Sequence, residues 1–495
     1  MVKVPCRFLS NTFGLLLALS LFFPSITLAN GLEGTWQGIL DVGLVKFRVA
    51  LVIKKDRRGN LKVLFNNIDD GLYNVPVTIL SPKPEFFKAR FKFGQALILE
   101  LYPGNHHLVG TYYQTTGNFE EDGDTSPITL IQGHSYLVPR LDAGGQAVTG
   151  YQYRPPREGY PDWKYGGLPA GGVSLVETGI CKILDGTFPH IHGIVAARGN
   201  QLLLDETFYG YGALDPHPVQ SITKSVFSLL FGIAQDKGLV QTREKLYDFF
   251  PAYRTRKFWD PRKGQVTLGH LLSMTSGFDC SDLDDAQACS WGMVHSGDWL
   301  HFALSKPLAQ EPGAHFAYCG ACLLPLSVIL EKAGGMAVPE FAQKVLFDPL
   351  QIHSAHWVKA PSGGTTVVPI SFGLSMAPRD LAKIGLLVLD KGKWDGKRIV
   401  PEDWIKESTS VKVPRDQTNH KYDYGYLWWE TEFMVGSRNV KTVMGWGVGG
   451  NYLFIVPDLN LVCVVTGGNY NDSQAGKCSL ELFQNYILPA FCGNP

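Results

Sequence analysis

Residues 217–236 read His217-Pro218-Val219-Gln220-Ser221-Ile222-Thr223-Lys224-Ser225-Val226-Phe227-Ser228-Leu229-Leu230-Phe231-Gly232-Ile233-Ala234-Gln235-Asp236. Pro216 and Pro218 hold the chain out of a helix up to Val219. From Ser221 to Phe231 neither Gly nor Pro interrupts an apolar run of helical period. A helix therefore starts at or just after Ser221, with Lys224 one turn later on the same face. That spacing suits nucleophilic catalysis. A serine hydroxyl is a weak nucleophile until a base stands within hydrogen-bond reach. Lys224 can be that base only as the neutral amine, the form that burial and the positive end of a helix favour. No other serine in the chain has lysine three residues on. The tetrad alone is not specific, since about one or two such spacings arise by composition in a chain this long. Its bland alternative is Ser221 as a helix N-cap with Lys224 solvated.

Outward from the tetrad the pattern changes twice. Strand-like runs at 193–197 and 201–204 precede it, and helical period follows at 224–236, 327–333, 338–346 and 378–389. Strands return at 452–456 and 459–465, joined by a Pro457-Asp458 turn. Strands that open and close a segment around helices imply an α+β fold. An antiparallel sheet of N- and C-terminal strands would enclose a helical insert.

Other phrases accompany the tetrad in a fixed order. They are Val266-Thr267-Leu268-Gly269-His270-Leu271-Leu272-Ser273-Met274-Thr275-Ser276-Gly277, then Glu311-Pro312-Gly313-Ala314-His315-Phe316-Ala317-Tyr318. Tyr424-Gly425-Tyr426-Leu427-Trp428-Trp429 and the 445–457 segment follow. Together they resemble the serine hydrolase superfamily related to class C β-lactamases and penicillin-binding proteins, from about Leu168 to the C-terminus. The resemblance implies the β-lactamase/transpeptidase-like fold, with Ser221 as acylated nucleophile and Lys224 as its general base. Tyr318 would pass the proton to the leaving group. It further implies an oxyanion hole built from the Ser221 N–H and an N–H of the third-motif strand. That strand is expected to run through Met444 to Gly450, with Gly449 as donor.

Two departures bear on substrate. The second motif of the superfamily is usually Tyr-x-Asn, but here it is Tyr318-Cys319-Gly320, without the amide that orients substrate and lysine. The third motif is usually Lys-Thr-Gly or His-x-Gly, whose cation grips a substrate carboxylate. Here Gly445-Trp446-Gly447 stands in that register and is the expected substrate-binding segment; Lys441-Thr442-Val443 is the competing register. Together with Phe316-Ala317-Tyr318-Cys319, this resembles the branch of esterases and linear-amide hydrolases that includes 6-aminohexanoate-dimer hydrolases. A small-molecule ester or amide substrate follows, with no cofactor and no metal. The rivals are a β-lactamase or D-alanyl-D-alanine carboxypeptidase, and a catalytically weak penicillin-binding-like ligand-binding protein. The string Gly445-x-Gly447-x-x-Gly450 also fits a dinucleotide fingerprint, but a strand rather than a helix is expected after it, so that reading is rejected.

The remainder of the chain is address and accessory structure. Lys3 and Arg7 precede an apolar run from Phe13 to Phe23, and Thr27-Leu28-Ala29 offers small residues for cleavage, so 1–29 reads as a signal peptide. The run is too short for a stable membrane span, and export to the periplasm or medium is expected. Residues 30–133 show alternating strand patterns separated by turns such as Arg58-Gly59-Asn60 and Asp69-Asp70-Gly71. Gly34-Thr35-Trp36 resembles the G-x-W opening of lipocalin-like barrels, although a structural β-domain is the plainer expectation. Residues 134–167 read as a Pro/Tyr-rich linker that packs on a domain, and 168–495 as the hydrolase domain. Equal counts of basic and acidic residues, 45 each, argue against a nucleic-acid partner. Eight cysteines follow Cys6, an even number suited to disulfides in an exported chain. Cys280–Cys289 and Cys478–Cys492 are candidate pairs, and Cys463 is expected as a buried strand thiol. The acidic run 282–285 reads as a solvated loop, and Asn471-Asp472-Ser473 as a glycosylation sequon.

Overall fold

The computed structural model describes residues 32–41, 46–69, 71–83, 86–93, 95–103, 107–115, 125–157, 163–255, 259–282, 289–358, 368–418, 420–470 and 476–493. The expected signal peptide, the sequon and most of the acidic run lie outside them.

Eight strands come first: β1 (Gly34–Asp41), β2 (Lys46–Lys55), β3 (Leu61–Asn67), β4 (Leu72–Lys83), β5 (Phe86–Phe93), β6 (Gln95–Pro103), β7 (His107–Thr115) and β8 (Thr125–Gln132). Each pairs antiparallel with its neighbour, and β8 returns to β1 through Trp36 opposite Gln132, closing a barrel. Alternation along the strands sends Trp36, Leu51, Phe65, Leu101 and Leu130 into one shared core. Trp36 is 3% exposed, and its indole N–H donates to the Leu32 carbonyl at 2.9 Å. The G-x-W opening thus seals the barrel interior with a hydrogen-bonded tryptophan.

The second body is built on an eight-stranded sheet. Its order is Asp423–Tyr424, Trp429–Val435, Arg438–Gly447, Asn451–Val456, Leu461–Gly467, β10 (Ile191–Arg198), β11 (Gln201–Thr207) and the short β9 (Lys164–Tyr165). Every pairing is antiparallel except that of β9 with β11. The first strands of this body therefore lie beside the last, as the strand–helix–strand pattern implies, and the chain has the α+β architecture expected. Helix α1 (Val173–Leu184), which the sequence reading did not anticipate, packs on one face with the C-terminal helices, where Phe454 stacks on Phe483 at 3.7 Å. Helix α2 (Ile222–Asp236) and helix Pro378–Leu389 pack on the other face. Mid-helix Gly232 lets helix Glu402–Ser408 approach α2 closely: a Cβ there would meet the Trp404 ring at 2.1 Å. Cys463 is fully buried in its strand, and burial pushes its thiol pKa upward. Cys492 carries no disulfide, so the expected Cys478–Cys492 tie is not formed.

The segment expected as a linker is integrated into this body. It supplies β9, Arg140 forms an ion pair with Glu206 at 2.5 Å, and the Tyr153 hydroxyl donates to the Leu203 carbonyl at 2.7 Å. The barrel docks alongside through the β3–β4 turn. Arg48 contacts Asp69 and Asp215 and lies 3.8 Å over the Tyr211 ring, Asp69 accepts from the Tyr211 hydroxyl, and Tyr73 stacks on His190 at 3.6 Å. Among the described residues, no single helix is long and apolar enough to cross a membrane.

Candidate active site

Ser221 stands immediately before α2 and has helical dihedrals, φ −64° and ψ −8°, with no capping bond from its hydroxyl. The cap comes from elsewhere. The Gln220 carbonyl accepts from the Thr223 N–H at 2.9 Å and from the Thr223 hydroxyl at 2.6 Å. Gln220 itself is held at φ 51°, a left-handed conformation unfavourable for a residue with a side chain and characteristic of constrained sites. The N-cap alternative for Ser221 is therefore not realised, and its hydroxyl is left for other work.

Lys224 takes up that hydroxyl. Its Nζ lies 2.9 Å from Ser221 Oγ and donates to the Ser371 carbonyl at 2.8 Å. It also sits 4.7 Å from the centroid of the Tyr318 ring. Lys224 is 3% exposed, and its hydrogen-bond partners are a hydroxyl and a carbonyl. A lysine buried against a hydroxyl, a carbonyl and an aromatic face is placed to exchange a proton with Ser221. The alternative of a solvated Lys224 is excluded by this burial. Ser371 was missed in the sequence reading because its contribution is a main-chain carbonyl, which leaves no signature in residue type.

Tyr318 is buried within an aromatic group. Its ring stacks on Trp429 at 5.6 Å and meets Tyr424 edge-on at 6.1 Å. Trp429 in turn lies 5.7 Å from Trp446, which also contacts His420, Tyr422 and Tyr452. Tyr318 carries the second motif beside two close sulfur pairs, Cys280 with Cys289 and Cys319 with Cys322. Cys280, Cys289 and Cys319 bring three sulfurs within 4.8 Å of one another. As thiolates these would suit a soft cation, but the two close pairs engage the same sulfurs with each other.

The third-motif strand requires two corrections. It ends at Gly447 rather than continuing to Gly450, because Gly449 and Gly450, at φ 89° and 87°, turn the chain into the next strand. Gly449 faces the Tyr470 ring and its carbonyl accepts from the Asn469 N–H, so it is not the residue laid against Ser221. Gly447 occupies that place. A Cβ on it would meet the Val219 carbonyl oxygen at 2.5 Å and the Ser221 nitrogen at 3.2 Å. Gly445 faces Ile222 and Ser225 on the same side, so alternation turns Trp446 to the opposite one. The position facing α2 thus has no side chain at all, and the flanking Trp446 is uncharged. Lys441 is half exposed and paired with Glu430 at 2.8 Å, roughly 13 Å of strand away from Gly445. The geometry favours the Gly445-Trp446-Gly447 register. The decoy fingerprint also fails here, since strand Asn451–Val456 follows it.

The acidic run departs from expectation at its first residue. Asp282 is not merely solvated: its carboxylate accepts from the Gly320 N–H at 2.6 Å and from Ser290. A cavity of about 490 Å³, lined by Phe278, Lys306, Gln310, His315 and Phe316, adjoins this motif without including Ser221 or Lys224.

Comparison with known proteins places the chain among relatives. A family model described as Beta-lactamase matches residues 190–476, which begin beyond the barrel. The 6-aminohexanoate-dimer hydrolase of Paenarthrobacter ureafaciens is 24% identical over 281 residues, covering 54% of this chain and 70% of that protein. Penicillin-binding protein 4* of Bacillus subtilis is 26% identical over 168 residues, 32% of this chain and 35% of its own length. Among solved structures, simvastatin synthase (LovD) of Aspergillus terreus superposes with TM-score 0.51 at 18% identity, over 64% of this chain and 98% of that one. EstCE1, described as a hydrolase with promiscuous acyltransferase activity, superposes with TM-score 0.50 at 16% identity, over 62% and 96%. These two likenesses show the shared fold.

Proposed function

Because this chain belongs to the Beta-lactamase family and is a serine hydrolase, we propose that it cleaves an ester or linear amide through an acyl-enzyme on Ser221. The observation that carries the reading is the contact of Lys224 Nζ with Ser221 Oγ at 2.9 Å beneath the Tyr318 ring. In the forward step, neutral Lys224 takes the hydroxyl proton while Ser221 Oγ bonds to the substrate carbonyl carbon. The tetrahedral oxyanion is held by the Ser221 N–H and by a main-chain N–H at the end of the third-motif strand, where Gly447 passes. Collapse breaks the bond to the leaving group, which takes a proton from Tyr318. Lys224 then returns its proton to the tyrosine, and water releases the acyl group by the reverse sequence.

The lack of a cation at Gly445 or Trp446 supports a substrate without a carboxylate beside the scissile bond. The relative named for hydrolysing the 6-aminohexanoate dimer supports a linear amide as one such substrate. Action outside the cytoplasm is supported by the apolar N-terminal run and by the two close cysteine pairs, which we assign as disulfides. The decisive experiment combines fluorophosphonate labelling with hydrolysis of short p-nitrophenyl esters. Wild type should be labelled and should turn over ester, whereas Ser221→Ala should do neither while remaining folded. Unchanged turnover in that variant would remove Ser221 from the mechanism.

A further inference from the structure

The second motif raises a physical question. Its third residue is Gly320, where the superfamily usually has an asparagine, so Tyr318 has lost an amide neighbour. The structure shows that the space is already filled. A Cβ on Gly320 would lie 2.8 Å from Ser290 Oγ, 3.0 Å from Asp282 Oδ2 and 3.1 Å from Ser371 Cβ. No asparagine can stand there unless these groups move.

Asp282 grips the motif at both ends. Its main-chain N–H donates to the Tyr318 carbonyl at 2.7 Å, and its Oδ2 accepts from the Gly320 N–H at 2.6 Å. Ser290 braces the carboxylate, with its hydroxyl on Oδ2 and its N–H on Oδ1, both at 2.8 Å. Asp282 lies two residues after Cys280 and Ser290 directly follows Cys289, so the close Cys280–Cys289 sulfur pair holds the two ends of this loop near each other. Ser371, the third group against Gly320, is the residue whose carbonyl holds Lys224. One wall therefore touches both the backbone of the tyrosine and the anchor of the lysine.

We infer that Asp282, braced by Ser290, is the positioning residue for Tyr318, its carboxylate clamping the backbone of the motif in the space that a second-motif amide would occupy. The inference rests on the reading of Tyr318 as the proton donor to the leaving group. Asp282 acts through Tyr318, since its carboxylate is occupied by Gly320 and Ser290. Its loss should matter in proportion to how much proton the leaving group needs. A p-nitrophenolate departs as the anion and requires little help, whereas an alkoxide or an amine must be protonated as it leaves.

The test compares a p-nitrophenyl ester with an alkyl ester of the same acid, in wild type, Asp282→Ala, Asp282→Asn, Tyr318→Phe and the Asp282→Ala/Tyr318→Phe double variant. Asp282→Ala should lower kcat on the alkyl ester at least tenfold with KM within about threefold, and lower kcat on the p-nitrophenyl ester far less. Asp282→Asn, which keeps an acceptor for the Gly320 N–H, should recover most of the loss. In the Tyr318→Phe background, removing Asp282 should add little, because residues acting through one another are non-additive. Fluorophosphonate labelling and a thermal melt identify variants that remain folded, and Asp282→Asn serves as the folded probe if the alanine variant does not. Equal losses on both esters, or full additivity with Tyr318→Phe, would overturn the clamp. If Tyr318→Phe itself shows no dependence on leaving group, the assignment of Tyr318 fails instead, and the two failures are thereby distinguished.

Discussion

Replacing Gly447 by alanine adds one methyl group beside Ser221, the proposed nucleophile. The new Cβ would stand 2.5 Å from the Val219 carbonyl oxygen, 3.0 Å from Gln220 Cβ and 3.2 Å from the Ser221 nitrogen. Two of these are main-chain atoms and cannot rotate aside. Ordinary non-bonded separation is about 3.5 Å, so the strand or the turn before α2 must yield by about 1 Å. A displacement of that size at a reacting centre costs about 10²-fold in rate, and loss of one oxyanion donor about 10²–10³-fold in kcat, or about 2.7–4 kcal/mol. Overpacking should cost about 1–3 kcal/mol of stability, which lowers the melting temperature without unfolding the protein at 25 °C. Steady-state hydrolysis of p-nitrophenyl butyrate should therefore show kcat reduced at least a hundredfold with KM changed little. Gly445→Ala is the internal control. Its Cβ meets Ile222 Cγ2 at 3.0 Å and Ser225 Oγ at 3.2 Å, both side-chain atoms able to adjust, so its loss should be several-fold. A folded Gly447→Ala enzyme with kcat within threefold of wild type would refute the placement of this strand against Ser221.

Lys224→Arg should reduce ester hydrolysis to the Ser221→Ala background, because guanidinium cannot be deprotonated in a protein; a near wild-type rate would contradict the base assignment. Short esters or linear amides should be hydrolysed at least about a hundredfold faster than a cephalosporin, since an unpaired carboxylate costs several kcal/mol to desolvate. Efficient cephalosporin turnover that disappears in Lys441→Ala would restore the competing register. Stability should also fall with acid. His217, buried and 2.9 Å from His192, is pushed down to about 3 mainly by desolvation, so above about pH 6.5 it is neutral in both folded and unfolded chains. Below that pH only the unfolded chain takes up its proton, and stability drops by up to about 1.4 kcal/mol per pH unit until the folded value is reached. Urea midpoints between pH 7 and 4.5 should show a shallower acid slope for His217→Gln than for wild type; identical slopes would count against this account.

The residues that announce the chemistry are legible because their signal is local. Ser221 and Lys224 are one helical turn apart, so their contact is written into spacing once the prolines place the helix start. The barrel strands show in their alternation and turn residues, and the closing strands of the main sheet in two short apolar runs joined by the Pro457-Asp458 turn. Other features were not legible. The Ser371 carbonyl that meets Lys224 and the Gly320 N–H that meets Asp282 lie 147 and 38 residues from their partners, and each is a main-chain group that residue identity does not announce. Asp282 had a faint signal: an acidic residue between two cysteines, and a glycine where the motif leaves room for an amide.

By itself, the sequence determined the helical-turn spacing of Ser221 and Lys224 on which the proposed mechanism rests, the α+β order of strands around helices, and the departures from the usual second- and third-motif polar groups. Each of these depends on period, spacing or identity within a short stretch. Only the tertiary structure decided which glycine of the 445–450 segment meets Ser221, since two positive-φ glycines end the strand at Gly447, earlier than the resemblance implied. It alone showed that β9 belongs to the sheet and that Gly320 is a position already filled by Asp282, Ser290 and Ser371. The physical reason is the same in each case: these outcomes depend on how closely separate backbones approach, which residue identity does not encode and packing does.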